Sequence, residues 1–400
     1  MSENTILDRI DFITGNKQIL KETVITPPRE PFSDDICYFL SEVSKVIMAD
    51  KRSRQYSDVV TFAFWIRNAS LSKLKERFLT DDGSICTGRG IAFHIAPSNV
   101  PVNFAYSLAT GLITGNANIV RIPSKNFPQV GIITDAINMV LDSHEEFRRY
   151  ILLCRYDRDR EINDFFSSMA DVRIVWGGDR TIEEIRKSPL PPRSVEITFA
   201  DRYSIAVIDS DMYMNMDDKD KIASDFYNDT FFSDQNACTS PRIVVWAGHR
   251  RDEAKEAFWE KLHNLVIEKY TFQDITSINK LTQFYLAVSE VGEIKMIPHN
   301  DNLIIRMAVS NLDKLLMDHR ESCGFFYEYD CDDVMELSEI CNDKRCQTIG
   351  FLGNIDWLKP LIESGIKGVD RVVDIGKTMD FDLIWDGYDL MSMLTRKIVL

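Results

Sequence analysis

The segment Asp234-Gln235-Asn236-Ala237-Cys238-Thr239-Ser240-Pro241 sets one thiol among small and polar residues, directly ahead of the apolar run Arg242–Trp246. A cysteine reacts as its thiolate, which needs partial exposure and nearby donors or dipoles. Cys238 has that setting; a structural thiol at a loop end is the competing local reading. In Ala96-Pro97-Ser98-Asn99-Val100-Pro101, Asn99 carries an amide donor where an apolar strand gives way to a helix. Binding groups gather at such strand ends in open α/β sheets, and a side-chain amide there can supply half of an oxyanion hole. A plain Asn turn between two prolines would look the same.

Arg121-Ile122-Pro123-Ser124-Lys125 is another strand end, with two cations and a hydroxyl. Gly177-Gly178-Asp179 is a strand-to-helix turn whose glycines let a phosphate approach backbone N–H groups. Neither amounts to a dinucleotide or P-loop fingerprint. Glu196, in the apolar run SVEITF, is read as a partly buried carboxylate with a raised pKa suited to a general base, with an outward-facing strand residue as the alternative. No metal site is expected: Cys323, Cys331, Cys341 and Cys346 lack close pairing, with only His319 nearby. His94, inside an apolar strand, reads as a core histidine. Arg148, Arg149, Arg155, Arg158 and Arg160, interleaved with Asp157, Asp159 and Glu161, read as a solvated face.

These residues need elements to position them. Ser33-Asp34-Asp35 predicts a helix N-terminus, with Ile36, Phe39, Leu40, Val43 and Val46 at helical spacing. A second helix is predicted over 57–78. From about residue 90 short apolar strands alternate with helices: strands at 90–96, 118–122, 151–154 and 172–176, helices at 101–113, 128–141, 161–169 and 181–186. That alternation predicts a parallel sheet covered on both faces. Strands near 195–199 and 204–208 follow the stiff Ser188-Pro189-Leu190-Pro191-Pro192. The acidic stretch Asp209–Lys221 is the expected domain boundary. Beyond it come a helix at 217–232, a strand at 242–246, a helix at 251–269 and a terminal strand, Thr395–Leu400.

The 400 residues carry 47 Lys+Arg against 62 Asp+Glu, a net charge of −15, which disfavours nucleic acid or an anionic membrane surface as partner. Hydrophobic residues at 44% and charged residues at 27% are those of a globular chain of two or three domains. No apolar run is long enough for a membrane span, the N-terminus lacks a signal-peptide pattern, and the eight cysteines are expected reduced, so the expected location is cytoplasmic.

Taken in order, GRGIAFHIAPSNVPVNFAYSLATGLITGNANIVRIPSKNFP, DQNACTSPRIVVW and FDLIWDGYDL resemble the aldehyde dehydrogenase superfamily, specifically its LuxC-type acyl-CoA reductases. The resemblance runs from residue 88 to about 400. It implies an α/β aldehyde dehydrogenase-like fold: a Rossmann-like cofactor domain over 1–208, helical to about 80, a smaller α/β catalytic domain over 209–372, and a segment 373–400 with a possible oligomerisation strand. It implies Cys238 as the nucleophile that takes the acyl group as a thioester, and Asn99 with the Cys238 backbone N–H as the oxyanion site. It places Arg121, Pro123 and Ser124 beside the cofactor's adenosine ribose, Gly177 and Gly178 at its pyrophosphate, and Glu196 at the position of the superfamily's glutamate. Arg121 replaces the usual Lys, and VEITFAD lacks the glycine pair that follows that glutamate, which counts against a hydrolytic role.

The function implied is NADPH-dependent reduction of an acyl-CoA or acyl-protein thioester to an aldehyde, with NADH as the alternative cofactor. A homo-oligomer and an acyl-activating ligase partner are further implications. The rival readings are a Cys238-dependent acyltransferase or thioesterase without hydride transfer, a non-catalytic scaffold of the same fold, and an oxidising aldehyde dehydrogenase.

Overall fold

The computed structural model describes residues 3–79 and 83–400. They divide into two compact units, one of residues 1–200 with 383–400, the other of residues 201–382.

In the first unit, β1 (Asp11–Thr14) is followed by β2 (Ile85–Gly88), β3 (Ile91–Ile95), β4 (Ala117–Arg121), β5 (Ile151–Arg155), β6 (Val172–Trp176) and β7 (Val195–Phe199). Apart from β2 these form one sheet in the order β1-β5-β4-β3-β6-β7. All neighbours are parallel except β1, which runs antiparallel to β5. Every residue of β3 and β6 is buried, as expected of central parallel strands covered on both faces. Alternate side chains feed two cores. Val120, Ile151 and Leu153 join the helices Asp34–Ala49, Asn103–Ile113 and Pro128–Leu141 on one face. Ile119, Leu152 and Cys154 join Arg160–Met169 and Asp179–Arg186 on the other.

The helix expected over 57–78 is two, Ser57–Trp65 and Asn68–Phe78, with the Ser70 hydroxyl bonded to the Phe64 carbonyl across the break. Ser33 stands at the predicted N-cap, but its hydroxyl donates to the Asp35 carboxylate instead of capping a backbone N–H. The helix Asn103–Ile113 turns into β4 through Gly115, at φ 82°, where a Cβ would lie 2.1 Å from the Arg29 carbonyl oxygen.

The second unit contains β8 (Tyr203–Asp209), β9 (Pro241–Ala247), β10 (Ile294–Met296), β11 (Ile305–Val309), β12 (Phe325–Asp330), β13 (Cys346–Leu352) and β14 (Arg371–Asp374). Their order is β10-β11-β12-β9-β8-β13-β14, parallel except for β10. Here the sequence-based boundary is corrected. The strand 203–209 belongs to the second sheet, because its edges bond to β9 and β13, so the units part at 200/201 and not within Asp209–Lys221. At the far end β14 stays in the second sheet and the first unit resumes at Leu383.

The returning segment forms a short hairpin, β15 (Ile384–Trp385) with β16 (Tyr388–Asp389), and then β17 (Thr395–Ile398). β17 pairs antiparallel with β2 of the same chain, Thr395 facing Gly88 and Ile398 facing Ile85. Among the described residues no helix is long and apolar enough to cross a membrane.

Candidate functional site

In the first unit the order of strands sets the site. β3 lies between β4 and β6, and the chain leaves β3 in one direction for β4 and β5, then returns to build β6 and β7 on the other side. A crevice opens at the carboxyl ends of strands where the order reverses in this way. Asn99 lies four residues beyond the end of β3 and is exposed. Gly177 and Gly178 follow β6, whose Val175 is in register with Ile95. Arg121 ends β4, and Pro123 and Ser124 follow it. Asn99, Arg121, Pro123, Ser124, Gly177 and Gly178 are thus gathered at one sheet edge.

Arg121 is held over the Tyr156 ring, its guanidinium carbon 4.6 Å from the ring centroid, and donates to the Tyr156 carbonyl at 3.2 Å. Beside it is Arg155, the middle of the arginine cluster. Arg155 is half-buried, not part of a solvated face. Its Nε donates to the carbonyl of buried Pro123 at 3.0 Å and its Nη1 to Asn126 Oδ1 at 3.3 Å. The signal was present: two adjacent parallel strands, NIVR and LLCR, each end in arginine. Arg121, Arg155 and the exposed Lys125 pair with no carboxylate among the described residues. Three cations and a hydroxyl residue, Arg121, Arg155, Lys125 and Ser124, therefore stand at the carboxyl ends of two neighbouring strands, donor types that suit a phosphorylated ribose. Gly178 caps the helix Asp179–Arg186 without a side-chain bond, and the Gly177 N–H is tied to the Phe199 carbonyl. Asp179 already sets a carboxylate at that helix end.

Glu196 is elsewhere. It is the second residue of β7, in register with Arg173 near the amino end of β6 and three residues short of the carboxyl end at Phe199. Its Oε1 accepts from Arg173 at 2.5 and 3.1 Å and its Oε2 from Arg186 at 2.7 Å. Burial pushes its carboxyl up, but the hydrogen bonds and charges of Arg186 and Arg173 outweigh burial and hold it below the ordinary glutamate value. The expectation of a raised pKa is corrected: the sequence shows the apolar neighbours but not the two guanidinium groups. His94 is buried between Ser107 Oγ, 2.7 Å from Nδ1, and Asn118 Oδ1, 3.0 Å from Nε2. Burial pushes its pKa down to about 4, so the ring is neutral near pH 7.

In the second unit, Cys238 is half-buried in the turn between the short 3-10 segment Phe231–Ser233 and β9. The Ser204 hydroxyl donates to the Cys238 carbonyl at 2.8 Å. Thr239 donates to the Met379 sulfur at 3.1 Å, and the Ser233 and Ser240 hydroxyls are 3.1 Å apart. Asp229, ahead of the turn, accepts from the Gly376 and Thr378 amides at 2.6 and 3.1 Å and so fixes the segment that carries Met379. Neither Asp229 nor Met379 stands out in the sequence, because each acts through a partner more than a hundred positions away. No disulfide links the eight cysteines. The second unit thus presents a thiol on an anchored, polar turn, and the first unit presents cationic and hydroxyl side chains at the carboxyl ends of its strands.

Similarity to solved structures establishes the fold. A salicylaldehyde dehydrogenase from Pseudomonas putida G7 matches with a TM-score of 0.66 at 14% identity, covering 96% of this chain and 87% of that one. A 3,6-anhydro-L-galactose dehydrogenase matches at 0.65 and 12%, covering 99% and 90%. The chain therefore has the aldehyde dehydrogenase fold. Among curated relatives, the long-chain acyl-protein thioester reductase of Vibrio harveyi is 26% identical over 322 residues, 78% of this chain and 63% of its own length. The reductase of the same name from Aliivibrio fischeri is 22% identical over 311 residues, 76% of this chain and 62% of its own. The match spans less than two thirds of either relative. The model of the family described as acyl-CoA reductase (LuxC) covers residues 70–397 of the 400, and the chain belongs to that family.

Proposed function

We propose that the protein reduces an acyl thioester, carried by a protein or by coenzyme A, to an aldehyde through an acyl-enzyme on Cys238. Support for the donor class is the name of the curated relatives, long-chain acyl-protein thioester reductase. An acyl-activating ligase would be the partner that loads such a donor.

The observation that carries the direction of the reaction is Glu196. An oxidising dehydrogenase must hydrolyse its acyl-enzyme, which calls for a base to activate water. Glu196 is locked between Arg173 and Arg186 with its pKa held down, so it is a poor proton acceptor. A thioester on Cys238 that is not hydrolysed remains available for reduction.

In this reading the Cys238 thiolate adds to the acyl carbonyl carbon and the donor thiolate departs. The oxyanion calls for hydrogen-bond donors, each worth about 10²–10³ in rate; the Cys238 backbone N–H is one, and the resemblance to the superfamily implies Asn99 as the other. The chemistry that a reduced nicotinamide would supply when bound is hydride for the carbon of the Cys238 thioester. Collapse of the thiohemiacetal then releases the aldehyde and restores the thiolate. Arg121, Arg155, Lys125 and Ser124 would hold the adenosine ribose, and with it the 2′-phosphate of NADPH, while Pro123 supplies the carbonyl that orients Arg155.

The test is NADPH consumption with palmitoyl-CoA and with a palmitoylated carrier protein, Cys238→Ala alongside. Donor-dependent oxidation that vanishes in Cys238→Ala is expected. Acyl transfer to Cys238 without oxidation of any nicotinamide would favour the acyltransferase reading, and an active Cys238→Ala enzyme would overturn the assignment.

A further inference from the structure

Asp234 and Gln235, just upstream of Cys238, both occupy the left-handed region, with φ of 52° and 55°. Consecutive non-glycine residues in that region persist where their surroundings over-determine them, and such strain concentrates at functional sites. Gln235 is completely buried and its side chain is fully satisfied. Nε2 donates to the carbonyls of Pro241 at 2.9 Å and Phe325 at 3.2 Å. Oε1 accepts from the amides of Gly324 at 2.9 Å and Phe325 at 3.1 Å.

The main chain is tied as thoroughly. The Gln235 N–H donates to the Thr230 carbonyl at 2.8 Å, and the Gln235 carbonyl accepts from the buried Arg242 guanidinium, which also donates to the Glu321 carbonyl. The Asp234 carbonyl accepts from the Cys323 amide at 3.1 Å, and the Asp234 carboxylate accepts from the Tyr270 hydroxyl at 2.6 Å. The facing segment is left-handed too, with φ of 60° at Cys323 and 80° at Gly324. At Gly324 a Cβ would stand 2.4 Å from the Leu303 carbonyl oxygen.

Two left-handed pairs, 234–235 and 323–324, are thus interlocked at the amino ends of neighbouring strands. The sheet does not need this joint for its register, since β12 and β9 pair from Tyr327 and Ile243 onward. What the joint does fix is the start of the short turn that carries Cys238 into β9. We infer that Gln235 is the positioning residue of the candidate nucleophile: its four bonds to the main chain on both sides of the turn hold the Cys238 thiol and backbone N–H in the orientation that acyl transfer requires. This inference rests on the assignment of Cys238 as nucleophile.

The test compares Gln235→Met, similar in size but without the bonds, with Gln235→Glu, which keeps the acceptor toward Gly324 and Phe325 and loses both donors. Full-length protein is assayed for single-turnover acylation by radiolabelled palmitoyl-CoA, and for alkylation of Cys238 by iodoacetamide between pH 6 and 9. NADPH binding and thermal unfolding are followed in parallel. Acylation is expected to fall about 10- to 100-fold in Gln235→Met and less in Gln235→Glu, with an altered pH profile of Cys238 alkylation and unchanged NADPH affinity. A folded Gln235→Met enzyme that acylates within threefold of wild type, with the same alkylation profile, would overturn the inference. If Gln235→Met does not fold, Tyr270→Phe removes the hydroxyl shared by the Asp234 carboxylate and the Cys323 sulfur and leaves the four Gln235 bonds in place. Slower acylation at an unchanged melting temperature then supports the joint, and unchanged acylation overturns it. Cys238→Ala separates the two layers: if it still acylates, the nucleophile assignment fails; if it is inert while Gln235 and Tyr270 variants are normal, the positioning role alone fails.

Discussion

Replacing Glu196 by glutamine tests whether this carboxylate is an ion-pair partner or a base. Arg173 is buried, with 3% of its side chain exposed, against 18% for Glu196. Breaking a fully buried ion pair by removing one partner costs about 3–5 kcal/mol. Here the cost is smaller, because Glu196 reaches solvent and glutamine keeps one acceptor. Arg173 also retains Ser167 Oγ at 3.0 Å and the Ser188 carbonyl at 2.6 Å. A loss of about 2 kcal/mol is expected. At about 2–4 °C per kcal/mol for a unit of this size, Tm falls by about 4–8 °C.

The pH dependence has a definite sign. The folded-state pKa of Glu196 is lowered, so its stabilisation is present above the unfolded value of about 4.3 and lost as pH falls below it. The gap in Tm between wild type and Glu196→Gln should be full at pH 7 and narrow below about pH 4. Reductase turnover should stay within about threefold of wild type, whereas loss of a general base costs about 10²–10⁴. Thermal unfolding over a pH series, with NADPH oxidation at pH 7, makes the comparison. A variant with unchanged Tm and turnover reduced more than a hundredfold would refute the structural reading of Glu196 and the argument that the acyl-enzyme is spared hydrolysis.

Arg155→Ala should weaken NADPH binding about tenfold, by roughly 1.4 kcal/mol, and leave NADH binding nearly unchanged, because the lost bonds are charge-assisted contacts to a phosphate; titration of nucleotide fluorescence on the apoprotein reads the ratio, and equal losses for both nucleotides would remove Arg155 from the 2′-phosphate. Burial pushes the Asp229 carboxyl up to about 6 against the pull of the Gly376 and Thr378 amides. The folded state therefore binds the proton more tightly, and this group makes stability fall by about 2–3 kcal/mol as pH rises from about 4 to 6. Denaturant titrations across that range should show the decline in wild type and its loss in Asp229→Asn; the same slope in both proteins would disprove it.

How much of this was written in the sequence follows from how far each feature reaches along the chain. Strand–helix alternation is local, so β3, β4, β6 and β7 fall within a residue or two of their predicted positions. The Cys238 turn is legible for the same reason, since the small polar run and the buried strand behind it are contiguous. The boundary between units is not. β7 ends at Phe199 and β8 begins at Tyr203, and both are short apolar strands. Nothing in their composition shows that one pairs with β6 and the other with β9 and β13. Membership of a sheet is a property of partners, and partners here lie tens to more than a hundred residues away.

The same reasoning separates the site residues. Arg121 and Ser124 are read from one strand end, where the chemistry is adjacent in sequence. The acids that flank Arg155 on the chain suggest a solvated face, yet its guanidinium turns from them to the Pro123 carbonyl across the sheet edge. The apolar sequence neighbours of Glu196 leave a buried base and an outward-facing carboxylate both open, and cross-strand Arg173 with the helical Arg186 decides its charge. In a parallel sheet the residue beside a side chain belongs to another strand, so local sequence identifies which groups arrive at an edge, and the pairing of strands determines whether they arrive free to react or already neutralised.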